Sequence, residues 1–321
     1  MSTEALTADR IASARARLQG VAHLTPVLRS HLLDDRYGVT LGLKAENLQR
    51  AGAFKFRGAY NLVSQLSERG KSRGVVTASS GNHGQAVALA AHMTGLAAHL
   101  VVPSDASAAK VAAAEAYGAT VERVGPKSAE RLQRAEALAA QHGWDYVPPY
   151  DHPEVLAGQA TVGLEILSQV PDVDAILVPV GGGGLISGIA TAVKATRPAV
   201  RVIGVEPEGS AAAFLSRQAG RRLAIPAGIT IADGLRTVVP GELTFPIIER
   251  LVDDLVTVSD AAIVRALTLL LTHVKTLVEP SGAAAAAYAW QSPSPLAGAK
   301  VVAVLSGGNI DAAVLAQLLS A

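Results

Sequence analysis

Three stretches of this chain combine residues in patterns that could do chemistry, and the first is a run of glycines. Gly181, Gly182, Gly183 and Gly184, here called the glycine turn, follow the apolar run at residues 175–180 and precede a helix-like segment. Successive backbone N–H groups of such a turn can converge on one anion, and the positive end of the next helix adds its dipole. We expect a phosphate site here, with a purely structural turn as the alternative.

The glycine turn does not match the two familiar nucleotide motifs. A dinucleotide-binding turn needs glycines at relative positions one, three and six, and no register of this turn supplies them. The nucleotide P-loop also fails, because Ile189 stands where its lysine would be. A ligand with one terminal phosphate therefore fits better, which disfavours a dinucleotide-dependent oxidoreductase.

The second stretch places Lys55 between Phe54 and Phe56, in a chain with only four phenylalanines. Burial lowers the pKa of a lysine, and its neutral amine is a nucleophile. The alternative is an ordinary helical lysine whose aliphatic part passes apolar neighbours on the way to solvent.

The third stretch, residues 79–83, is here called the serine turn and separates a β-rich run from a helix-like run. Donors at such a turn can bind a carboxylate by the same argument as for phosphate. Capping of the helix by serine and asparagine is the alternative, and the two roles can coexist.

Composition and charge exclude several classes of function. The 321 residues carry a net charge of +1 and no long basic stretch, which argues against a nucleic acid partner. The chain has no cysteine, so disulfides, thiolate metal sites and cysteine nucleophiles are excluded. Residues 1–20 are typical of an amphipathic helix and not of a signal peptide, and no segment reaches transmembrane length. We expect a cytoplasmic protein without a membrane partner.

Short β-rich runs alternate with alanine-rich helical runs, which predicts parallel sheets covered by helices. The prolines and aromatic residues of 144–150 suit a crossing between two lobes. We expect a small domain at residues 74–148 and a large domain formed by residues 1–73 and 149–321. Ligands of such open sheets bind at the carboxyl ends of strands, where both turns lie.

Four motifs together resemble those of the pyridoxal-phosphate enzymes with the tryptophan synthase β-subunit fold, also called fold type II. Within that fold the chain is similar to the threonine/serine dehydratase and serine racemase group. The resemblance covers nearly the whole chain and implies an α/β fold of two open, mostly parallel sheets flanked by helices, pyridoxal 5'-phosphate as cofactor, and a homodimer. The motifs are Phe54-Lys55-Phe56-Arg57-Gly58-Ala59, Ser79-Ser80-Gly81-Asn82-His83-Gly84-Gln85, the glycine turn and Ser306-Gly307-Gly308-Asn309.

The resemblance implies cofactor-binding roles for five sites. Lys55 would hold the cofactor covalently and then act as the base at the substrate Cα. Phe54 would pack on the pyridine ring, Asn82 would bond its phenolic oxygen, and the glycine turn would hold the phosphate. Ser306 would meet the pyridine nitrogen, and a neutral hydroxyl there favours β-elimination over transamination.

The resemblance also implies a set of substrate-binding residues. The serine turn would bind the substrate carboxylate, Arg131 stands where racemases place a carboxylate ligand, and Asp233 would shape the substrate side of the site. Ser80 would in addition be the second catalytic residue of a racemase, facing the substrate opposite Lys55. The full set is Ser79, Ser80, Gly81, Asn82, His83, Arg131 and Asp233.

We expect an ammonia-lyase that converts L-threonine or L-serine into a 2-oxo acid and ammonia by β-elimination. Ser80 leaves serine racemase as an alternative. Ala51 and Ala53 stand where relatives carry hydroxyl residues, which favours another substrate such as 3-hydroxyaspartate as a further alternative. A sensor or scaffold that binds the cofactor without turnover is the non-enzymatic alternative.

No metal site is expected. The resemblance aligns Glu206 with a metal ligand of the racemases, but Ala212 stands where a second acid would be needed. Divalent cations prefer several oxygen ligands, so one carboxylate makes a poor site.

Overall fold

The computed structural model describes residues 6–68, 70, 72–79, 81–106, 108–125 and 128–320. The strands of this part of the chain are β1 (Val27–Leu28), β2 (Thr40–Lys44), β3 (Gly74–Thr77), β4 (Ala97–Pro103), β5 (Thr120–Val124), β6 (Asp145–Tyr146), β7 (Ala175–Pro179), β8 (Arg201–Pro207), β9 (Asp254–Val258) and β10 (Lys300–Val304). The α-helices are α1 (Ala8–Leu18), α2 (His31–Tyr37), α3 (Lys55–Glu68), α4 (Asn82–Thr94), α5 (Ala108–Ala116), α6 (Ser128–His142), α7 (Pro153–Gln169), α8 (Gly184–Thr196), α9 (Ala212–Ala219), α10 (Thr244–Leu251), α11 (Asp260–Leu269), α12 (Pro280–Ala289) and α13 (Ala312–Ser320).

The strands form two sheets. The larger has the order β1-β2-β10-β7-β8-β9, and the smaller has the order β5-β4-β3-β6. Every strand pair is parallel except β1 with β2. This confirms the expected α/β architecture of two mostly parallel sheets flanked by helices, while the domain boundaries stay a prediction. None of the described helices is long and apolar enough to cross a membrane.

The central strand β7 shows why these runs become buried strands. All five of its residues are buried, because helices cover both faces of a parallel sheet. Ile176 and Val178 pack with α8, while Leu177 belongs to the core cluster that includes α12. The unbroken apolar run that precedes the glycine turn is therefore a consequence of burial on two sides.

The structure differs from expectation at residues 144–150. This segment was expected only as a crossing, but it contains β6, which pairs with β3 through Val75 with Asp145 and Val76 with Tyr146. A two-residue strand offers no alternation that a sequence pattern could reveal. The segment still crosses to the larger sheet's side, since Pro149 and Tyr150 line the cavity described below.

A buried ion cluster of Lys44, Glu46, Arg57 and Glu165 fixes the first turn of α3. Arg57 is 1% exposed, and its Nε and Nη2 donate to the two Glu46 oxygens at 2.8 Å each. Its Nη1 also donates to Glu165 at 2.6 Å, and Glu165 accepts from Lys44 Nζ at 2.6 Å. Burial, the largest single influence, raises the pKa of the Glu46 carboxyl, but Arg57, Lys44 and Thr25 together lower it below its usual value. Two positive and two negative groups thus neutralise one another, and of the four only the Glu165 side chain is partly exposed.

Helix α3 crosses α7 at a point where two glycines meet. A Cβ on Gly158 would lie 2.6 Å from Gly58 Cα and 2.6 Å from the Arg57 carbonyl oxygen. Both of these are backbone atoms, so a side chain here could be accommodated only by moving the helices apart. Since α3 begins with Lys55, this contact sets the depth at which the lysine enters the protein.

Replacing Gly158 with alanine should lower the free energy of unfolding by roughly 1–3 kcal/mol, because the added methyl overpacks a backbone contact. Gly163→Ala is the matched control in the same helix, where the new methyl would meet its nearest atoms at 3.2 Å. Chemical denaturation of both variants measures the difference. Equal losses for the two variants would show that the crossing of α3 and α7 is not tightly packed.

Candidate active site

A cavity of about 300 Å³ opens where strands of both sheets end. Ser79 follows β3, Pro103 ends β4, Pro179 ends β7 and Ser306 follows β10, and all four line this cavity. The carboxyl ends of parallel strands therefore converge on one space, as the sequence predicted for its turns.

Lys55 enters this cavity from the first position of α3. Its Nζ donates to the Pro149 carbonyl oxygen at 2.6 Å and lies 5.1 Å from the centre of the Phe54 ring. Burial lowers the pKa of the Lys55 ammonium to about 8. Roughly a tenth of the amine is then neutral at pH 7, far more than for an exposed lysine, and the neutral form is the one that a nucleophile or base requires.

Only one of the two flanking phenylalanines contributes to this environment. Phe54 lines the cavity, whereas Phe56 is fully buried in the core cluster beneath the smaller sheet and packs on Tyr60 at 5.6 Å between ring centres. Phe54 precedes α3 whereas Phe56 lies within it, and residues two apart on a helix point about 200° apart, so the two rings diverge. The low pKa that the sequence predicts for Lys55 is confirmed. Its cause is burial in general and not a flanking pair of phenylalanine rings.

The glycine turn joins β7 to α8 and lines the cavity. No backbone N–H of Gly181 to Gly184 has a hydrogen-bond partner among the described residues. Gly183 has a φ of +92°, which L side chains rarely adopt, and a Cβ on Gly182 would collide with the Tyr150 ring. Thr244 Oγ1 donates to the Gly182 carbonyl oxygen at 2.7 Å and holds the turn. Free N–H groups at the start of α8 make a donor set for an anion.

The serine turn, at the start of α4, forms another part of the cavity wall. Ser79, Gly81, Asn82 and His83 line the cavity, and Ser80 lies outside the described residues. The Ser79 hydroxyl accepts from the Gly81 N–H at 3.3 Å, while the N–H groups of Asn82 and His83 have no partner among the described residues. This wall therefore offers a second set of free donors at a helix N-terminus.

His83 is buried and held in one orientation. Its Nε2 lies 2.9 Å from the Val147 carbonyl oxygen, and its Nδ1 has no hydrogen-bond partner. Burial, followed by the charge of Lys55, lowers the pKa of His83 to about 3. The imidazole is neutral at physiological pH, with the proton on Nε2, since a carbonyl can only accept.

Ser306 lines the same cavity and is 4% exposed. Its carbonyl oxygen accepts from the Phe54 N–H at 3.1 Å, which ties the end of β10 to the residue before Lys55. The Ser306 hydroxyl has no hydrogen-bond partner within the described part of the chain and is available to a ligand.

The substrate-side residues Arg131 and Asp233 also line the cavity. Arg131 belongs to α6, and Asp233 begins a short 3₁₀-helix at residues 233–235. Lys110 of α5 donates to Asp233 Oδ2 at 3.0 Å. The structure thus brings together every described residue that the sequence predicted for the site.

Among the lining residues that sequence reasoning did not name are Lys110, Tyr150 and Glu279. Lys110 and Tyr150 carry no signal in the sequence, because tertiary packing alone brings them to the cavity. Glu279 precedes Pro280 at the start of α12, and a buried acid at a helix start is a signal that a closer reading could have used. Ala51 and Ala53, in contrast, are not among the described residues that line the cavity.

Glu206, the residue aligned with a metal ligand, has a structural role. Its two carboxylate oxygens accept from the Ala213 N–H at 3.0 Å and the Phe214 N–H at 2.7 Å, in the first turn of α9. Burial raises the pKa of Glu206 to about 7, although these two hydrogen bonds lower it. Among the described residues no group of three or more histidine, cysteine or acidic side chains could hold a metal ion.

Comparison with known proteins supplies the family. Residues 19–307 match the model of a family described as pyridoxal-phosphate dependent enzyme. The chain belongs to this family. It is 45% identical to L-threo-3-hydroxyaspartate ammonia-lyase of Saccharomyces cerevisiae, over 97% of this chain and 95% of that one. It is 43% identical to L-threonine ammonia-lyase of Geobacter sulfurreducens, over 94% of this chain and 75% of that one.

Among solved structures, maize serine racemase superposes with a TM-score of 0.91 and 41% identity, covering 98% of this chain and 97% of that one. The fold is therefore that of the fold type II enzymes, and the cofactor of the family is pyridoxal 5'-phosphate. The cavity fits this group: the glycine turn offers unpartnered N–H donors for a phosphate, and Lys55 offers a buried amine for an aldehyde.

His83 should make the cofactor-free protein lose stability in acid. The unfolded chain binds a proton at His83 near pH 6.5 and the folded chain near pH 3, so the free energy of unfolding falls as pH decreases through this window. The slope attributable to this residue reaches about 1.4 kcal/mol per pH unit. Chemical denaturation at several pH values should show this slope in the natural protein and its loss in His83→Gln. Exposed His31→Gln is the control, and a slope that persists in His83→Gln contradicts the assignment.

Proposed function

We propose that this chain is an ammonia-lyase that acts on 3-hydroxyaspartate. The observation that carries the proposal is the pair of cationic side chains, Arg131 and Lys110, that line the same cavity as Lys55. The similarity to L-threo-3-hydroxyaspartate ammonia-lyase of yeast supports it.

The two cations favour a dicarboxylic substrate. The serine turn would bind the substrate's α-carboxylate. The backbone N–H groups of Asn82 and His83, which have no partner among the described residues, suit this carboxylate. The β-carboxylate of 3-hydroxyaspartate would then need a cation, which Arg131 supplies with a planar set of donors. Threonine and serine carry a methyl group or a hydrogen atom in place of that carboxylate, so neither uses the charge. Lys110 pairs with Asp233 at 3.0 Å and lines the same cavity, so it would add to the positive charge that faces the β-carboxylate.

The cofactor would be held by residues on three sides of the cavity. The glycine turn would bind its phosphate, Lys55 would bind its aldehyde carbon, and Phe54 would pack on its ring. Asn82 and Ser306 would bond the ring's phenolic oxygen and nitrogen. Bound in this way, pyridoxal phosphate withdraws electrons from the substrate Cα and makes its proton acidic.

Lys55 would then take the Cα proton, which its lowered pKa allows near neutral pH. The β-hydroxyl takes up a proton and departs as water, which leaves an unsaturated amine. A second water hydrolyses the imine form of this amine to a 2-oxo acid and ammonia. The product from 3-hydroxyaspartate is oxaloacetate. Because the His83 imidazole is neutral, it would place no acidic imidazolium proton beside the substrate carboxylate. Only N–H donors would then bind that carboxylate.

Replacing Lys55 with alanine should lower turnover by roughly a thousandfold or more, because both the amine that holds the cofactor and the base are lost. Borohydride treatment followed by mass spectrometry should find the cofactor on Lys55 in the natural protein and no such modification in the variant. Lys194→Ala is the control, since Lys194 pairs with Asp253 away from the cavity. Full turnover in Lys55→Ala would disprove the assigned base.

Release of 2-oxo acid from 3-hydroxyaspartate, L-threonine and L-serine tests the substrate. We expect the largest kcat/KM for 3-hydroxyaspartate, and Arg131→Gln should reduce that value by roughly 10- to 100-fold through loss of a charged hydrogen bond. Threonine turnover should change little. Arg134→Gln is a control on the same helix, because Arg134 pairs with Glu122.

Chiral analysis of the remaining amino acid distinguishes the racemase alternative in the same experiment. Oxo acid without the opposite enantiomer supports the lyase. Extensive racemisation with little oxo acid would overturn it, and so would an Arg131→Gln variant that loses activity equally on all three substrates.

A further inference from the structure

Glu279 is a buried acid in the cavity wall to which the mechanism above gives no task. It precedes α12, is 3% exposed and lines the cavity. Its backbone N–H donates to the Gly307 carbonyl oxygen at 3.0 Å, so its position is fixed against the segment that follows β10. A carboxylate buried at this depth needs a specific partner.

That partner is the Asn82 side chain. Asn82 Nδ2 donates to Glu279 Oε1 at 2.5 Å, and Asn82 Oδ1 accepts from Asn309 Nδ2 at 2.8 Å. Asn309 Nδ2 also donates to the Ala51 carbonyl oxygen at 2.8 Å. A continuous chain of hydrogen bonds thus runs from the Ala51 backbone through two amides to the Glu279 carboxylate.

The two ends of this chain determine its direction. The Ala51 carbonyl can only accept, so Asn309 turns its NH₂ group towards it and offers its second N–H to Asn82 Oδ1. Asn82 must then face Glu279 with its own NH₂ group, which suits an ionised carboxylate. The second N–H of Asn82 has no partner among the described residues, and the side chain lines the cavity.

Gly307 shows that the space around this contact is fully used. A Cβ at Gly307 would collide with Glu279 Oε1 and lie 2.9 Å from Asn82 Nδ2. Gly307 has no positive φ, so its backbone conformation does not require glycine. The missing side chain instead allows the acid and the amide to meet.

The charged groups that face Glu279 are Asp233 and Lys110. Burial, followed by the charge of Asp233, raises the pKa of Glu279 to about 7, whereas the Asn82 hydrogen bond and the charge of Lys110 lower it. An acid at the surface would need no partners to be ionised. Burial of Glu279 therefore costs free energy, which its partners offset only in part.

We propose that Glu279 is a positioning residue that holds the Asn82 amide with its free N–H directed into the cavity. This inference rests on the proposed function for one point, namely that an oxygen of the cofactor ring receives that N–H. Without the acceptor at Glu279, only the hydrogen bond from Asn309 still orients the Asn82 amide, so its NH₂ group is held less firmly towards the cavity.

Affinity of the cofactor-free protein for pyridoxal phosphate, measured without substrate, tests the inference. Glu279→Met keeps the side-chain volume and removes the strong acceptor, and it should weaken binding roughly tenfold, the value of one hydrogen bond in a dry site. Glu279→Gln keeps an acceptor for Asn82 Nδ2 and should restore the affinity to within about threefold. The visible absorbance of the bound cofactor should shift in the Met variant and not in the Gln variant.

A double-mutant cycle with Asn82→Ala separates positioning from a general structural role. If Glu279 acts through Asn82, Glu279→Met should have little further effect on cofactor affinity once Asn82 is alanine. Glu206→Ala is the matched control, since Glu206 is an equally buried acid outside the lining of the cavity, and it should lower stability without changing cofactor affinity.

Equal losses in the Gln and Met variants would overturn the inference, as would an undiminished effect of Glu279→Met in the Asn82→Ala background. Thermal unfolding of each variant identifies any that do not fold, and Glu279→Ala then replaces Met as the variant without an acceptor. Because no step uses substrate, these results stand apart from the proposed function: a protein that binds the cofactor through Glu279 and Asn82 but does not release oxo acid retains this inference and loses the other.

Discussion

The position of Lys55 depends on the ion cluster two residues further along α3. Arg57 is almost fully buried, so its positive charge must be balanced inside the protein. The Glu46 and Glu165 carboxylates balance it and hold the guanidinium in one orientation. Removing a single partner would leave an uncompensated buried charge, at a cost of roughly 3–5 kcal/mol. The first turn of α3 therefore has little freedom to rotate or slide, and the reactive amine inherits that rigidity.

The same exclusion of water that makes the cluster rigid also sets the chemistry of the cavity. Burial moves the pKa of Lys55 and His83 down and that of Glu279 up, so in each case it favours the neutral form. One environment thus yields an amine that can act near neutral pH and an imidazole that stays uncharged. The free energy of unfolding falls at pH values where such buried groups must ionise. The burial that tunes these groups therefore also lowers the stability of the fold at those pH values.

Much of the architecture and the site could be predicted from the sequence, for identifiable reasons. Strand β7 and the glycine turn are contiguous, so their pattern alone indicates a strand, an anion site and a helix. The pairing of Lys110 with Asp233 and the approach of Tyr150 to Gly182 join residues far apart in the chain, and no local pattern encodes them. Two-residue strands such as β6 depend on a neighbouring strand for their existence, so they too require the tertiary structure.

The glycines of the site illustrate how one residue type serves different physical requirements. In the glycine turn only Gly183 has the positive φ that a side chain would strain, whereas Gly182 is needed because the Tyr150 ring occupies the place of a Cβ. Gly158 permits two helix backbones to touch, and Gly307 leaves room for Glu279 beside Asn82. Sequence reasoning attributes such glycines to conformational freedom or phosphate binding. Among the described glycines close approach is the more frequent requirement, and at Gly158 it lets α7 touch the first turn of α3, which begins with Lys55.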